Sequence, residues 1–83
     1  NLVITKPGTA DQVGLLAANM GLNGERLNYI PKSNDILFHT PILRPKESDA
    51  IYFIAPAEAG DYTYVCTFPG HYVLMRGTLR VTK

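Results

Sequence analysis

Short β-prone runs, each cut off by proline or glycine, set the narrowest limit on what this chain can fold into. Leu2-Val3-Ile4-Thr5 stops at Pro7-Gly8, and Ile36-Leu37-Phe38-His39-Thr40 meets Pro41, with Leu43 as the furthest extension. Ala50-Ile51-Tyr52-Phe53-Ile54 is broken by Pro56, with Pro45-Lys46-Glu47-Ser48 before it as a turn. Tyr62-Thr63-Tyr64-Val65-Cys66 follows Gly60-Asp61, and Thr78-Leu79-Arg80-Val81-Thr82 alternates apolar with polar and closes the chain. Strands this short, with turn signals at intervals of about 8–12 residues, point to a β-sandwich of Greek-key type. One helix interrupts them. Thr9 stands as an N-cap with Gln12 three residues later, the spacing of a capping box. Val13, Leu15 and Leu16 follow, so the pattern predicts a helix from Ala10 to about Asn19, ended by Gly21, Asn23 and Gly24. Asn28 to Asn34 contains Pro31 and several turn formers and reads as a loop. The expected fold class is all-β, a Greek-key sandwich with one helical flap.

Composition narrows the function. The 83 residues make a single domain, 1–83. A chain of this size buries only about 60–65% of its unfolded surface, so a staple would help it. Charged residues at 18%, below the usual share of about 25%, with 46% hydrophobic residues, argue against disorder. Eight Lys/Arg against seven Asp/Glu are mixed along the chain, without the basic run that a nucleic-acid partner would need. The apolar stretches are far shorter than the roughly 20 residues that span a bilayer, so no direct membrane insertion is expected. No signal peptide is recognisable, and the chain opens directly on the apolar Leu2-Val3-Ile4. The expectation is that it is part of a longer protein.

Cys66 is the single cysteine, so no internal disulfide can supply the staple. By itself it reads as a buried structural thiol, since free cysteine is among the most buried residue types. Met75 by itself reads as core filler, and His71 as an ordinary loop histidine. Their order changes the balance. Cys66-Thr67-Phe68-Pro69-Gly70-His71-Tyr72-Val73-Leu74-Met75 places a thiolate, an imidazole and a thioether on one loop between two strands. Soft sulfur with imidazole suits copper, and one Cys and two His in a plane with a weak axial Met make an electron-transfer site. The Pro69-Gly70 pair turns the chain back so that His71 and Met75 can face one centre. A Cys–His nucleophile–base pair is the competing chemistry. It lacks a third orienting group, because no Asp, Asn or Glu lies in the segment.

The loop Cys-Thr-Phe-Pro-Gly-His-x-x-x-Met, followed by x-Gly-Thr-Leu at 76–79, resembles the ligand loop of azurin-like and auracyanin-like cupredoxins. Gly60-Asp61-Tyr62-Thr63-Tyr64-Val65-Cys66 is similar to that family's approach to the loop, and His39-Thr40 with Pro45-x-Glu47-Ser48-Asp49 to the stretch before it. Asn1-Leu2-Val3-Ile4 is similar to the strand just after the family's first histidine ligand, and 10–21 to the azurin flap. The resemblance implies a cupredoxin fold and one mononuclear copper held by Cys66, His71 and Met75. It further implies that the first histidine would immediately precede Asn1 and that the family's N-terminal strands lie outside this chain, which is then an N-terminally incomplete, C-terminal portion of the family's domain. His39 is not counted as a ligand: the family's histidine at this position does not bind copper, and a partly buried strand residue with a hydrogen-bonded ring is expected. Asn1 is expected to bond across to the ligand loop, and amides near Thr67 or Phe68 to donate to the Cys66 sulfur. Tyr72, Val73, Leu74 and Met20 are expected to form an apolar surface around the imidazole edge.

The function implied is electron shuttling without substrate turnover, so an electron carrier rather than an enzyme, though it could be a module of a larger oxidoreductase. Redox proteins such as cytochromes or oxidoreductases would be its partners. The setting would be periplasmic or otherwise extracytoplasmic, with any membrane tether in parts outside this chain. The alternatives are a metal-free binding or structural module of the same fold, and a copper storage or delivery protein.

Overall fold

The computed structural model describes residues 1–82. Four antiparallel strands form one sheet: β1 (Val3–Thr5), β2 (Ile36–His39), β3 (Gly60–Val65) and β4 (Arg76–Val81), in the order β2-β1-β3-β4. β1 is antiparallel to both its neighbours, with Val3 opposite His39 on one side and Val65 on the other. β2 and β3 therefore run the same way on either side of it. The 40–59 connection has to cross β1 to join them, which a hairpin could not do. This arrangement, with one helix, is compatible with the expected sandwich.

Side chains alternate between the faces of a strand, and paired residues share a face. Val3 with Val65, and Thr5 with Thr63, therefore look to one side; Ile4 with Tyr64 looks to the other. The first side carries the helix α1 (Ala10–Ala18), whose Ala10, Val13 and Ala17 are buried. Val3, Ala10 and Val65 form the core, with Ile30, Ile36 and Tyr72 packed around it. A valine fully removed from water contributes roughly 1.5–3 kcal/mol, so these few contacts matter in so short a chain. On the second side, Leu2, Ile4, Tyr64, Leu79 and Phe53 line an apolar depression of about 300 Å³.

Three expectations need correction here. Ala50–Ile54 forms no strand. Its β-prone residues need a neighbour to accept their backbone hydrogen bonds, and among the described residues no strand lies beside them. Phe53 instead stacks on Phe38, ring centroids 4.5 Å apart, while Tyr52 and Ile54 project into solvent. The strand starting at Ile36 does not continue past His39 to Leu43. The third concerns the helix start. Thr9 occupies the N-cap position, but its hydroxyl donates to the Lys6 carbonyl at 2.7 Å and makes no side-chain cap. Thr9→Ala is therefore expected to change the unfolding free energy by under about 0.5 kcal/mol, not the ~1 kcal/mol of a lost cap. Urea denaturation measures this; a loss of a full cap's worth would mean the capping box forms after all.

Two ion pairs tie elements together. Arg76 at the start of β4 reaches Asp11 of α1 at 2.5 Å, and Arg80 of β4 donates to Asp61 of β3 at 2.8 Å. The hydrogen bond from Arg80 holds the exposed Asp61 carboxyl below its ordinary range. Whatever stability this adds is present above about pH 4 and lost as pH falls through the depressed folded value. No helix among the described residues is long and apolar enough to cross a membrane.

Candidate metal centre

β3 delivers Cys66 at its end, and β4 starts one residue after Met75. The loop between them is closed at its neck by the Cys66 N–H, which donates to the Met75 carbonyl at 2.9 Å. Within it, the His71 N–H donates to the Phe68 carbonyl at 2.9 Å, with Gly70 at φ 83°. Proline second and a left-handed glycine third in a four-residue hydrogen-bonded turn is the type II pattern, and only glycine takes the third place without strain. A short 3₁₀ turn, His71–Val73, follows. Its first carbonyl, that of His71, accepts the Met75 N–H at 2.8 Å, which sets the spacing between imidazole and thioether.

The three predicted donors come together. Cys66, His71 and Met75 line one open cleft of about 490 Å³, walled by Phe68, Ile42 and Leu43. Cys66 is only 7% exposed, whereas His71 lies at the surface and Met75 is 56% exposed. Cys66 Sγ and His71 Nδ1 are 3.8 Å apart. A sulfur about 2.3 Å and a nitrogen about 2.0–2.1 Å from one ion, at the ~120° of a trigonal plane, would be about 3.8 Å apart. The Cys66–His71 separation therefore suits one shared metal ion, and soft sulfur with imidazole suits copper. Among the described residues no cluster of three or more His, Cys, Asp or Glu side chains offers a different metal site.

Asn1 anchors the base of the loop. Its Nδ2 donates to Thr67 Oγ1 at 2.8 Å, and its Oδ1 accepts the Thr67 N–H at 2.9 Å. That amide is thus committed to Asn1, which removes Thr67 from the pair of amides, near Thr67 or Phe68, expected to donate to the Cys66 sulfur. The Asn1 amino group itself lies 3.8 Å from Cys66 Sγ. His39 is exposed at the end of edge strand β2, outside the cleft, with no ring hydrogen bond among the described residues. It is neither the half-buried residue expected nor a donor to this site. Tyr72 also departs from expectation. Val73 and Leu74 are exposed beside His71, but the Tyr72 ring turns inward against Gly14 of α1. Sequence reading missed Asn28 and Tyr29, whose carbonyls receive the hydrogen bonds of Asn1 and Thr67. Asn in a turn-rich segment was the available signal, since it tolerates left-handed backbone.

A strand-anchored loop presenting Cys, His and Met to one cleft on an antiparallel sheet defines a cupredoxin-type metal domain. Residues 1–82 match the family of copper binding proteins, plastocyanin/azurin family, and the chain belongs to it. Auracyanin-A of Chloroflexus aurantiacus is 44% identical over 84 residues, covering 98% of this chain and 49% of its own length. Azurin-2 of Alcaligenes xylosoxydans xylosoxydans is 38% identical (98% of this chain, 63% of that protein), and azurin of Bordetella pertussis 40% (98% and 54%). The chain thus spans about half to three-fifths of the length of these relatives. Copper is the metal of this family.

Proposed function

We propose that this chain is the metal-binding portion of a blue-copper electron carrier in which Cys66, His71 and Met75 hold one copper ion. The observation that carries the reading is the convergence of the three donors on one cleft, with sulfur and imidazole 3.8 Å apart. Bound copper supplies one-electron exchange between Cu(I) and Cu(II). The chain's part is to hold the donors still. Cys66 is buried at a strand end and tied to Met75, while Asn1 grips Thr67 next to it. A site fixed on both sides reorganises little when one electron is gained or lost. The exposed His71 gives that electron a way in and out. Met75, more open, would hold the ion more weakly through its thioether and so tune its potential.

A residue attached upstream of Asn1 would start beside the Cys66 sulfur, the position for the family's first histidine. The apolar rim of Phe68, Val73 and Leu74 around His71 suits brief docking with redox proteins such as cytochromes or oxidoreductases, which use interfaces under about 1,200 Å². No substrate is transformed, so the domain is a carrier rather than an enzyme. An exported, extracytoplasmic setting fits a copper thiolate site.

A Cu(II) titration followed by visible absorption and voltammetry tests this, on the chain and on a form extended upstream. One equivalent giving an intense blue band and a reversible one-electron wave in the extended form is the expected outcome. Colour in the short form would mean that another donor completes the site. Neither form colouring would leave the metal-free module as the better account, and copper lost at once to a chelator would favour delivery.

A further inference from the structure

Asn28 and Tyr29 are consecutive non-glycine residues in left-handed backbone, at φ 56° and 52°. The first is explained locally. Tyr29 N–H donates to the Gly24 carbonyl at 2.8 Å and Asn28 N–H to the Glu25 carbonyl at 3.0 Å. These are the paired bonds of a Schellman stop, which puts its left-handed residue at Asn28, a type that accepts it. The stop ends there. It asks nothing left-handed of Tyr29, an aromatic residue for which that conformation is unfavourable.

Strain that the local turn does not require points to a demand from elsewhere. The Tyr29 carbonyl accepts the Thr67 hydroxyl at 2.7 Å, and Thr67 is fully buried directly after Cys66. The neighbouring Asn28 carbonyl accepts Asn1 Nδ2 at 2.9 Å, and Asn28 Oδ1 accepts the N–H of Ile42, in the cleft wall, at 3.1 Å. The Tyr29 ring meets Phe68 edge-on, centroids 5.2 Å apart, and Phe68 in turn lies 4.8 Å from the His71 ring. One dipeptide thus gathers the Asn1 end, the Cys66 loop and the cleft wall.

We infer that left-handed Tyr29 is a positioning residue for the metal site, its carbonyl pinning Thr67 and so the Cys66 sulfur, its ring bracing Phe68 against His71. It touches no metal itself. The inference rests on the copper reading only for its spectral readout.

Two readouts test it: alkylation of Cys66 in the metal-free protein, and the energy of the thiolate–copper band. Tyr29→Val, β-branched and hostile to left-handed backbone, is expected to speed alkylation on the order of tenfold and to shift the band. Tyr29→Gly, free to keep the backbone but without a ring, falls between this and the unsubstituted protein. Should Tyr29→Val fail to fold, Thr67→Val breaks the same link from the other end, and Thr67→Ser, which keeps the hydroxyl, restores it. Alkylation and spectrum unchanged in both Tyr29→Val and Thr67→Val would overturn the inference, as would Thr67→Ser behaving like Thr67→Val. A protein that takes up no copper would count against the function proposed above and leave alkylation to decide this point.

Discussion

Cys66→Ser is expected to abolish the blue absorption of the copper-loaded protein while leaving the fold standing. Serine has nearly the shape of cysteine, but its hydroxyl does not ionise near neutral pH and offers a hard oxygen in place of a soft sulfur. The colour comes from the thiolate, so its loss should be complete rather than graded. Copper affinity should fall by more than about 100-fold, beyond the loss typical of an outer-shell change. The cost to the fold is far smaller. Cys66 is 7% exposed at the end of β3, and burying a hydroxyl there costs about 1–3 kcal/mol. Titration with Cu(II) and a urea melt of the metal-free protein, run side by side, separate the two effects. A band persisting at the same energy would remove Cys66 from the site. A collapsed fold would mean that Cys66 is first of all a core residue.

The second large effect lies at the junction of helix and loop. Gly14 of α1 faces Tyr72, and a β-carbon added there would sit 2.1 Å from the ring's Cγ and 2.6 Å from its Cβ. The clash is with the root of the side chain, so no rotation of the ring relieves it; the helix or the His71–Val73 turn must move. Alanine in mid-helix ordinarily adds about 1 kcal/mol over glycine. Here overpacking should reverse the sign, so that Gly14→Ala destabilises by about 1–3 kcal/mol, roughly 10 °C in melting temperature. Because His71 precedes Tyr72 in the same turn, the thiolate–copper band should shift as well. Adding Tyr72→Ala should recover part of the loss in a double-mutant cycle. A Gly14→Ala variant more stable than the parent would show that helix and turn do not meet as described.

What the sequence disclosed follows from which constraints are local. Alternation in 62–66 and 78–82 and the helical spacing after Thr9 are read within a few residues; all three elements form there, both strands starting two residues earlier than expected. The Cys66–Met75 loop was legible for the same reason: Pro69-Gly70 and the donor spacing are written in one segment. Ala50–Ile54 misled because β-propensity describes a surface that fits a neighbour and does not supply one. Thr9 had the right spacing for a capping box, but the Lys6 carbonyl lay in reach of its hydroxyl. Tyr72 looked like rim because nothing in its own loop reports that Gly14, 58 positions earlier, leaves a ring-sized gap. Asn28 and Tyr29 were hidden for the opposite reason. The partners of their carbonyls, Asn1 and Thr67, are distant in sequence, and a loop-like composition carries no trace of that.

The most direct test of the account is X-ray absorption at the copper edge of the loaded protein, compared with its Cys66→Ser and His71→Ala variants. The expected result is one short copper–sulfur shell with imidazole nitrogen beside it, the sulfur shell vanishing in Cys66→Ser and the nitrogen shell weakening in His71→Ala. A shell of nitrogen and oxygen alone in the unsubstituted protein, unmoved by either substitution, would contradict it.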